Sequence, residues 1–85
     1  WVADGLEHGA VEVRRATVQS LARMKSPRAT HRLLGALHDG EAAVRLEAIN
    51  ALALLGSRQG SAQLAELAAL DPDMAVRNAA RRILG

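Results

Sequence analysis

The 85-residue sequence contains no cysteine, phenylalanine or tyrosine, and Trp1 is its only aromatic residue. Without cysteine the chain can form neither a disulfide framework nor a thiolate metal site. No apolar run approaches the roughly 20 residues that span a bilayer, and no basic segment followed by an apolar one marks a signal peptide. We therefore expect neither a disulfide-rich secreted protein nor a membrane protein, and we predict a cytoplasmic location.

A strong excess of either charge is also missing, since 11 Lys and Arg face nine Asp and Glu for a net charge of +2. Nucleic-acid binding needs a basic stripe and, for single strands, aromatic side chains that stack on bases. The candidate basic residues are Arg28, Arg32, Arg58, Arg81 and Arg82, and acidic residues dilute them. The sequence argues against a nucleic-acid partner, although this weak arginine patch keeps nucleic-acid binding as an alternative.

What the chain has in abundance is Leu and Ala, 31 residues together, and both favour helices. A repeated pattern runs through it. Val13-Arg14 recurs as Val44-Arg45 after 31 residues and as Val76-Arg77 after 32 more. Self-similarity at such a short period is typical of stacked helical repeats.

Each repeat carries signals for two helices, which gives five helices in all. Gly56 is expected to end the helix before it, and Pro27 suits the first turn of another. The predicted N-caps are Asp39 for a helix over 40–55, Ser57 for one ending at Leu70, Ser26 for one over 27–38, and Asp71 for one over 72–84.

The helix that begins near Val44 is apolar on two sides. One stripe consists of Val44, Ala48, Ala51, Leu52 and Leu55, and a second consists of Leu46, Ile49 and Ala53. A polar arc around Glu47 and Asn50 separates the two stripes, and the helix over 13–24 is more polar. We therefore expect the middle helix to have neighbours on both sides.

The pattern from Val44 to Leu52, Val-Arg-x-x-Ala-x-x-Ala-Leu preceded by Asp39, resembles the HEAT repeat. The short period is similar to the HEAT-like repeat of the phycobilisome-lyase type. The resemblance covers nearly the whole chain, with a looser copy at Val13 and another at Val76. It implies an all-α solenoid, a right-handed superhelix of stacked antiparallel helix pairs with about two and a half repeats.

The resemblance also implies a ladder of hydrogen bonds between neighbouring turns, formed by Asp39, Asp71, Arg14, Arg45 and Arg77. A guanidinium can bind a carboxylate of an adjacent turn with two parallel hydrogen bonds, which agrees with the placement of these residues. His8 stands where the Asp would be in the first unit, so the partner of Arg14 is left open.

Catalytic and metal-binding patterns are missing. His31 and His38 lie seven residues apart, about 10 Å along a helix, which is too far to share one metal ion. Gly56-Ser57 lacks the spacing and the preceding strand of a nucleophile elbow, and Ser57 is better explained as a helix cap. We predict no catalytic residue, no metal and no cofactor.

The sequence favours a non-catalytic module for protein–protein interaction or scaffolding. In HEAT-type stacks the second helices line the inner surface, so the candidate partner-binding face comprises His31, Arg32, His38, Gln63 and Glu66. The polar, mixed-sign character of this face suits protein recognition. The alternative that the resemblance raises is an accessory part of a bilin lyase or of another HEAT-like enzyme.

The chain is expected to form a single repeat domain over 1–85, cut from a longer array. Its predicted parts are the tail of a preceding repeat (1–9), two repeats (10–39 and 40–71) and the first helix of a further repeat (72–85). Because each unit buries its apolar face against the next, we expect Ala80, Ile83 and Leu84 to be partly exposed. Val2 and Leu6 should be exposed at the other end, and the terminal helices should allow weak self-association.

Overall fold

The computed structural model describes residues 10–85. In this range the chain folds into five α-helices without a strand: α1 (Val11–Met24), α2 (Pro27–Ala36), α3 (Ala42–Leu55), α4 (Ser61–Leu70) and α5 (Met74–Leu84). The prediction of an all-α chain with five helices is confirmed. The predicted tail at 1–9, with Val2, Leu6 and His8, lies outside the described residues.

The first helices of the successive units lie side by side in chain order, so that α3 packs against α1 on one side and α5 on the other. The shorter α2 packs against α1 and α3, and α4 packs mainly against α5. The helices thus stack along the chain as in an α-solenoid, each contacting mainly its nearest neighbours. The predicted solenoid is confirmed.

Small aliphatic side chains form one continuous core, to which α3 contributes most. Its largest fully buried side chains are Val18, Leu33, Leu37, Val44, Ile49, Leu52 and Val76. Ile49 is buried on the second apolar side of α3, as the sequence predicts. Ala53, expected on the same side, is exposed because it lines an open cleft between the ends of α3 and α5.

Three of the four predicted helix starts are wrong. The N-cap positions are Glu41 for α3, Gly60 for α4 and Asp73 for α5. Only the prediction for Ser26 is confirmed, because its hydroxyl accepts a hydrogen bond from the Ala29 N–H at 3.1 Å.

The displaced starts have one cause, a side chain that binds the turn instead of the helix. Asp39, Ser57 and Asp71 each accept a hydrogen bond from the N–H two residues later. This bond closes a turn around the next residue, a known alternative to capping for Asp and Ser. The helix then begins a few residues later, and in α5 the Asp73 carboxylate caps it by accepting from the Val76 N–H.

Two glycines shape the connection between α3 and α4. Gly56 ends α3 with a φ of +62°, the left-handed conformation predicted for it. Gly60 has a φ of +82°, and a Cβ placed there would lie 2.5 Å from the Cδ2 of Leu34 on α2. Only glycine lets this loop approach α2 so closely.

The C-terminal helix is better covered than the sequence suggests. Ala80, expected to be partly exposed, is fully buried, because α3 and α4 both pack against α5. Ile83 is half-buried, and Leu84 is 44% exposed. The uncovered apolar strip is therefore limited to the end of α5.

Candidate functional site

The turn between α2 and α3 is held by hydrogen bonds to both ends of Asp39. Its carboxylate accepts from the Arg14 Nε at 2.9 Å and from the Glu41 N–H at 2.9 Å. Its main-chain carbonyl accepts from the Arg45 Nη1 at 2.8 Å. The turn is therefore bound to the preceding first helix through Arg14 and to the following one through Arg45.

The turn between α4 and α5 repeats this arrangement with a more deeply buried carboxylate. The Arg45 guanidinium donates from Nε to Oδ2 of Asp71 at 2.7 Å and from Nη2 to Oδ1 at 3.1 Å. Oδ1 also accepts from the Asp73 N–H, and the Asp71 carbonyl accepts from the Arg77 Nη1 at 2.7 Å. Among the described residues, Asp71 is the one buried charged residue, at 5% exposure.

The surroundings of Asp71 favour its ionised form. Burial by itself would raise the pKa of the Asp71 carboxyl, because it removes water from the charge. The hydrogen bonds from Arg45 and from the Asp73 N–H, together with the positive charges of Arg45 and Arg77, outweigh burial and leave the pKa below its ordinary value. Asp71 is therefore a buried carboxylate with strong cationic partners.

The structure thus brings together all five residues named for the ladder, with each arginine placed at the start of a first helix. The partner of Arg14, which the sequence left open, includes the Asp39 carboxylate of the following turn. The ladder has a direction, since Arg14 and Arg45 bind the carboxylate ahead while Arg45 and Arg77 bind the carbonyl behind. How much these contacts stabilise the stack stays a prediction.

The candidate partner-binding face lies on the second helices. His31 and Arg32 on α2, His38 just after α2, and Glu66 on α4 are exposed, whereas Gln63 is half-buried. The accessible part of this face carries a cation on α2 and an anion on α4. Its side chains are free to meet a partner while the opposite sides of α2 and α4, around Leu33 and Leu64, fill the core.

A second surface, which sequence reasoning missed, is the cleft between α1 and α3. It has a volume of about 460 Å³ and is floored by Ala22 and Ala51. The Gln19 side chain bridges the two helices, with its Nε2 donating to the Glu47 carboxylate at 2.7 Å. The polar arc that contains these residues was the available signal, but it did not reveal that Leu54 beside it would be 81% exposed.

The exposed histidines of α2 have no partners for metal chemistry in the described part of the chain. No group of three His, Asp or Glu side chains in residues 10–85 is arranged to hold a metal ion. None of the five described helices is both long and apolar enough to cross a membrane. What the geometry offers is a helical stack with polar, accessible outer faces.

The two-layer stack and its repeated Arg–Asp turns agree with the comparison to protein families. The model of HEAT repeats matches residues 1–85. The chain belongs to the HEAT repeat family. No curated protein matches it significantly. HEAT repeats commonly mediate protein–protein interactions and generally act as non-catalytic scaffolds.

Proposed function

We propose that this HEAT segment is a non-catalytic scaffold whose second-helix face, formed by His31, Arg32, His38, Gln63 and Glu66, binds a protein partner. The observation that carries the proposal is the exposure of four of these side chains on α2 and α4, above helix sides that are fixed in the core. A surface held in place by a packed stack can meet a partner without reordering.

The charges of the face suit a protein better than a uniformly charged ligand. Arg32 and Glu66 carry opposite charges on neighbouring units, and the histidines add groups that donate and accept hydrogen bonds. Complementary charges on a partner would select one register along the stack. The resemblance to the phycobilisome-lyase type and the cytoplasmic location stay predictions from the sequence.

The test is site-specific cross-linking. A photoreactive amino acid is placed at position 31 or 66, and at position 15 on α1 as the matched exposed control. After irradiation in an extract of the source cells, the same protein should be captured from 31 and 66 but not from 15. Its yield should fall when Arg32→Ala is introduced into the chain carrying the probe at 66.

Two results would remove this face from consideration. One is an identical set of cross-linked proteins from all three positions, and the other is no cross-linked protein from 31 or 66. A variant with Glu12→Ala and Arg15→Ala, which removes one charge of each sign from α1, serves as the control for general loss of charge. Circular dichroism should show that every variant keeps its helix content.

A further inference from the structure

The three arginines at the start of the first helices are equivalent by sequence but not by their hydrogen bonds. Arg14 and Arg45 each donate from Nε to the carboxylate of the following turn, at 2.9 and 2.7 Å. Arg77 donates from Nη1 to the Asp71 carbonyl, just as Arg45 does to the Asp39 carbonyl. The Arg77 side chain therefore enters the ladder from behind in the same way as Arg45.

The forward side of Arg77 lacks the contact that the other two arginines make. Within residues 10–85 no carboxylate accepts a hydrogen bond from its Nε or Nη2. The guanidinium is half-buried, and the bond to the Asp71 carbonyl fixes its orientation. A half-buried guanidinium with two orientated donors is a ready site for a carboxylate, since such pairs form parallel hydrogen bonds.

The rest of the outer face of α5 differs from the corresponding face of α3. On α3, Leu46 and Ile49 lie on the side that packs toward α5, and Ile49 is only 1% exposed. Shifted by 32 residues, these positions are Asn78 and Arg81, and both are exposed. An apolar helix like α5 itself would bury the Arg81 charge without a partner, which is costly.

Basic and apolar residues alternate along this outer face, which is formed by Met74, Arg77, Asn78, Arg81 and Leu84. Arg77 and Arg81 are one helical turn apart, about 6 Å along the axis. Met74 is 66% exposed and Leu84 44%. Two cations between two apolar side chains complement an amphipathic helix that carries two carboxylates.

We propose that the outer face of α5 docks an acidic helical segment of another polypeptide. A carboxylate in the turn that precedes this helix binds Arg77, as Asp71 binds Arg45, and a second carboxylate on the helix binds Arg81. A second copy of this chain fits poorly, because position 8 in its first unit is His instead of Asp and α1 exposes Arg15 and Arg23. This face is on a different helix from the proposed α2–α4 face, so either proposal can fail alone.

The probe is a synthetic peptide with the sequence of residues 61–85 that carries Ala79→Glu and Arg82→Glu. It presents its own Asp71 in the turn, and the two changed positions are those that meet Ile49 across the α3–α5 cleft. Titration into the full chain should shift the NMR signal of the Arg77 Nε–H. A peptide with the additional change Asp71→Asn should bind roughly tenfold more weakly or worse, the expected loss of a charged hydrogen bond.

The matching changes in the chain are Arg77→Gln and Arg81→Gln, with Arg15→Gln on α1 as control. Arg77→Gln should weaken the Asp71 peptide but leave the Asp71→Asn peptide unaffected, which shows direct coupling between the two groups. Because Arg77 also binds the Asp71 carbonyl, Arg81→Gln provides a second test that leaves the ladder intact.

Three results would overturn the proposal. The first is equal binding of the two peptides, and the second is equal binding by the Arg15, Arg77 and Arg81 variants. The third is displacement of the peptide by a DNA duplex of equal charge concentration, because the face would then recognise phosphates. Concentration-dependent dimerisation of the chain alone that is lost in Arg77→Gln would also contradict it, since the occupant would be a second copy.

Discussion

α3 and α5 carry the same repeated pattern 32 residues apart, yet one has a helix on each side and the other on only one side. Leu52 on α3 is fully buried, whereas Leu84 at the equivalent position is 44% exposed. Arg45 binds a carboxylate with two hydrogen bonds, whereas Arg77 binds a carbonyl.

The difference teaches that a position in the repeat has no fixed energetic value. The same residue type contributes according to whether the next unit covers it. α3 replaces polar residues by Leu46 and Ile49 where it meets α5, and α5 keeps Asn78 and Arg81 where the described chain provides no further helix. Paired substitutions at equivalent positions therefore measure what a neighbouring helix adds.

The largest difference is expected between Arg45→Ala and Arg77→Ala. Arg45→Ala leaves the buried Asp71 carboxylate without its main partner, which typically costs about 3–5 kcal/mol of unfolding free energy. Arg77→Ala removes one hydrogen bond to a carbonyl and should cost about 1 kcal/mol. Urea denaturation followed by circular dichroism measures both, and equal losses would show that the ladder is no stronger in the middle than at the edge.

A similar comparison applies to the apolar side chains. Leu52→Ala should cost about 2–5 kcal/mol because it opens a cavity at the centre of the core. Leu84→Ala should cost less than about 1 kcal/mol, since much of this side chain already contacts water. The two urea midpoints should differ clearly, and coinciding midpoints would mean that α5 is covered in solution by self-association or another contact.

The smallest expected effect is a change in acid sensitivity through Asp71. Because its pKa is lower in the folded chain, the stability it contributes is fully present above the ordinary carboxyl pKa of about 3.9 and is lost as the pH falls through the lower folded pKa. Asp71→Asn should therefore lose less stability than the natural chain between pH 5 and the acid range below about pH 4.

The control for this titration is Glu66→Gln, at an exposed position on α4. Its unfolding free energy should fall with acidity as steeply as that of the natural chain. If Asp71→Asn and Glu66→Gln show the same acid dependence as the natural chain, the buried pair does not link stability to pH.

Much of this fold could be predicted because the repeat appears three times. The spacing of Val13, Val44 and Val76 fixes the first helices, and the apolar residues on both sides of α3 predict its central place. The ladder residues were also named correctly as a group, since each has an equivalent in another unit. Periodicity is strong evidence when every copy must fit the same neighbours.

Helix starts and exposed surfaces were harder to predict. Asp39 and Asp71 have the residue type of an N-cap, but their carboxylates bind arginines 25 and 26 residues away in sequence. Such long-range contacts leave no local signal. The burial of Ala80 likewise depends on how closely α4 and α3 approach α5, and no residue pattern within α5 reveals this.

Arg45 joins the carbonyl of Asp39 to the carboxylate of Asp71, so each step of the ladder needs one Asp and one Arg per unit. A gene duplication of one full period, wherever it begins within the unit, copies one residue of each kind in the right order. The lengthened stack then keeps an unbroken ladder. A duplication of any other length would separate an arginine from its carboxylate and leave a charge buried without a partner, so the ladder restricts growth of the array to whole units.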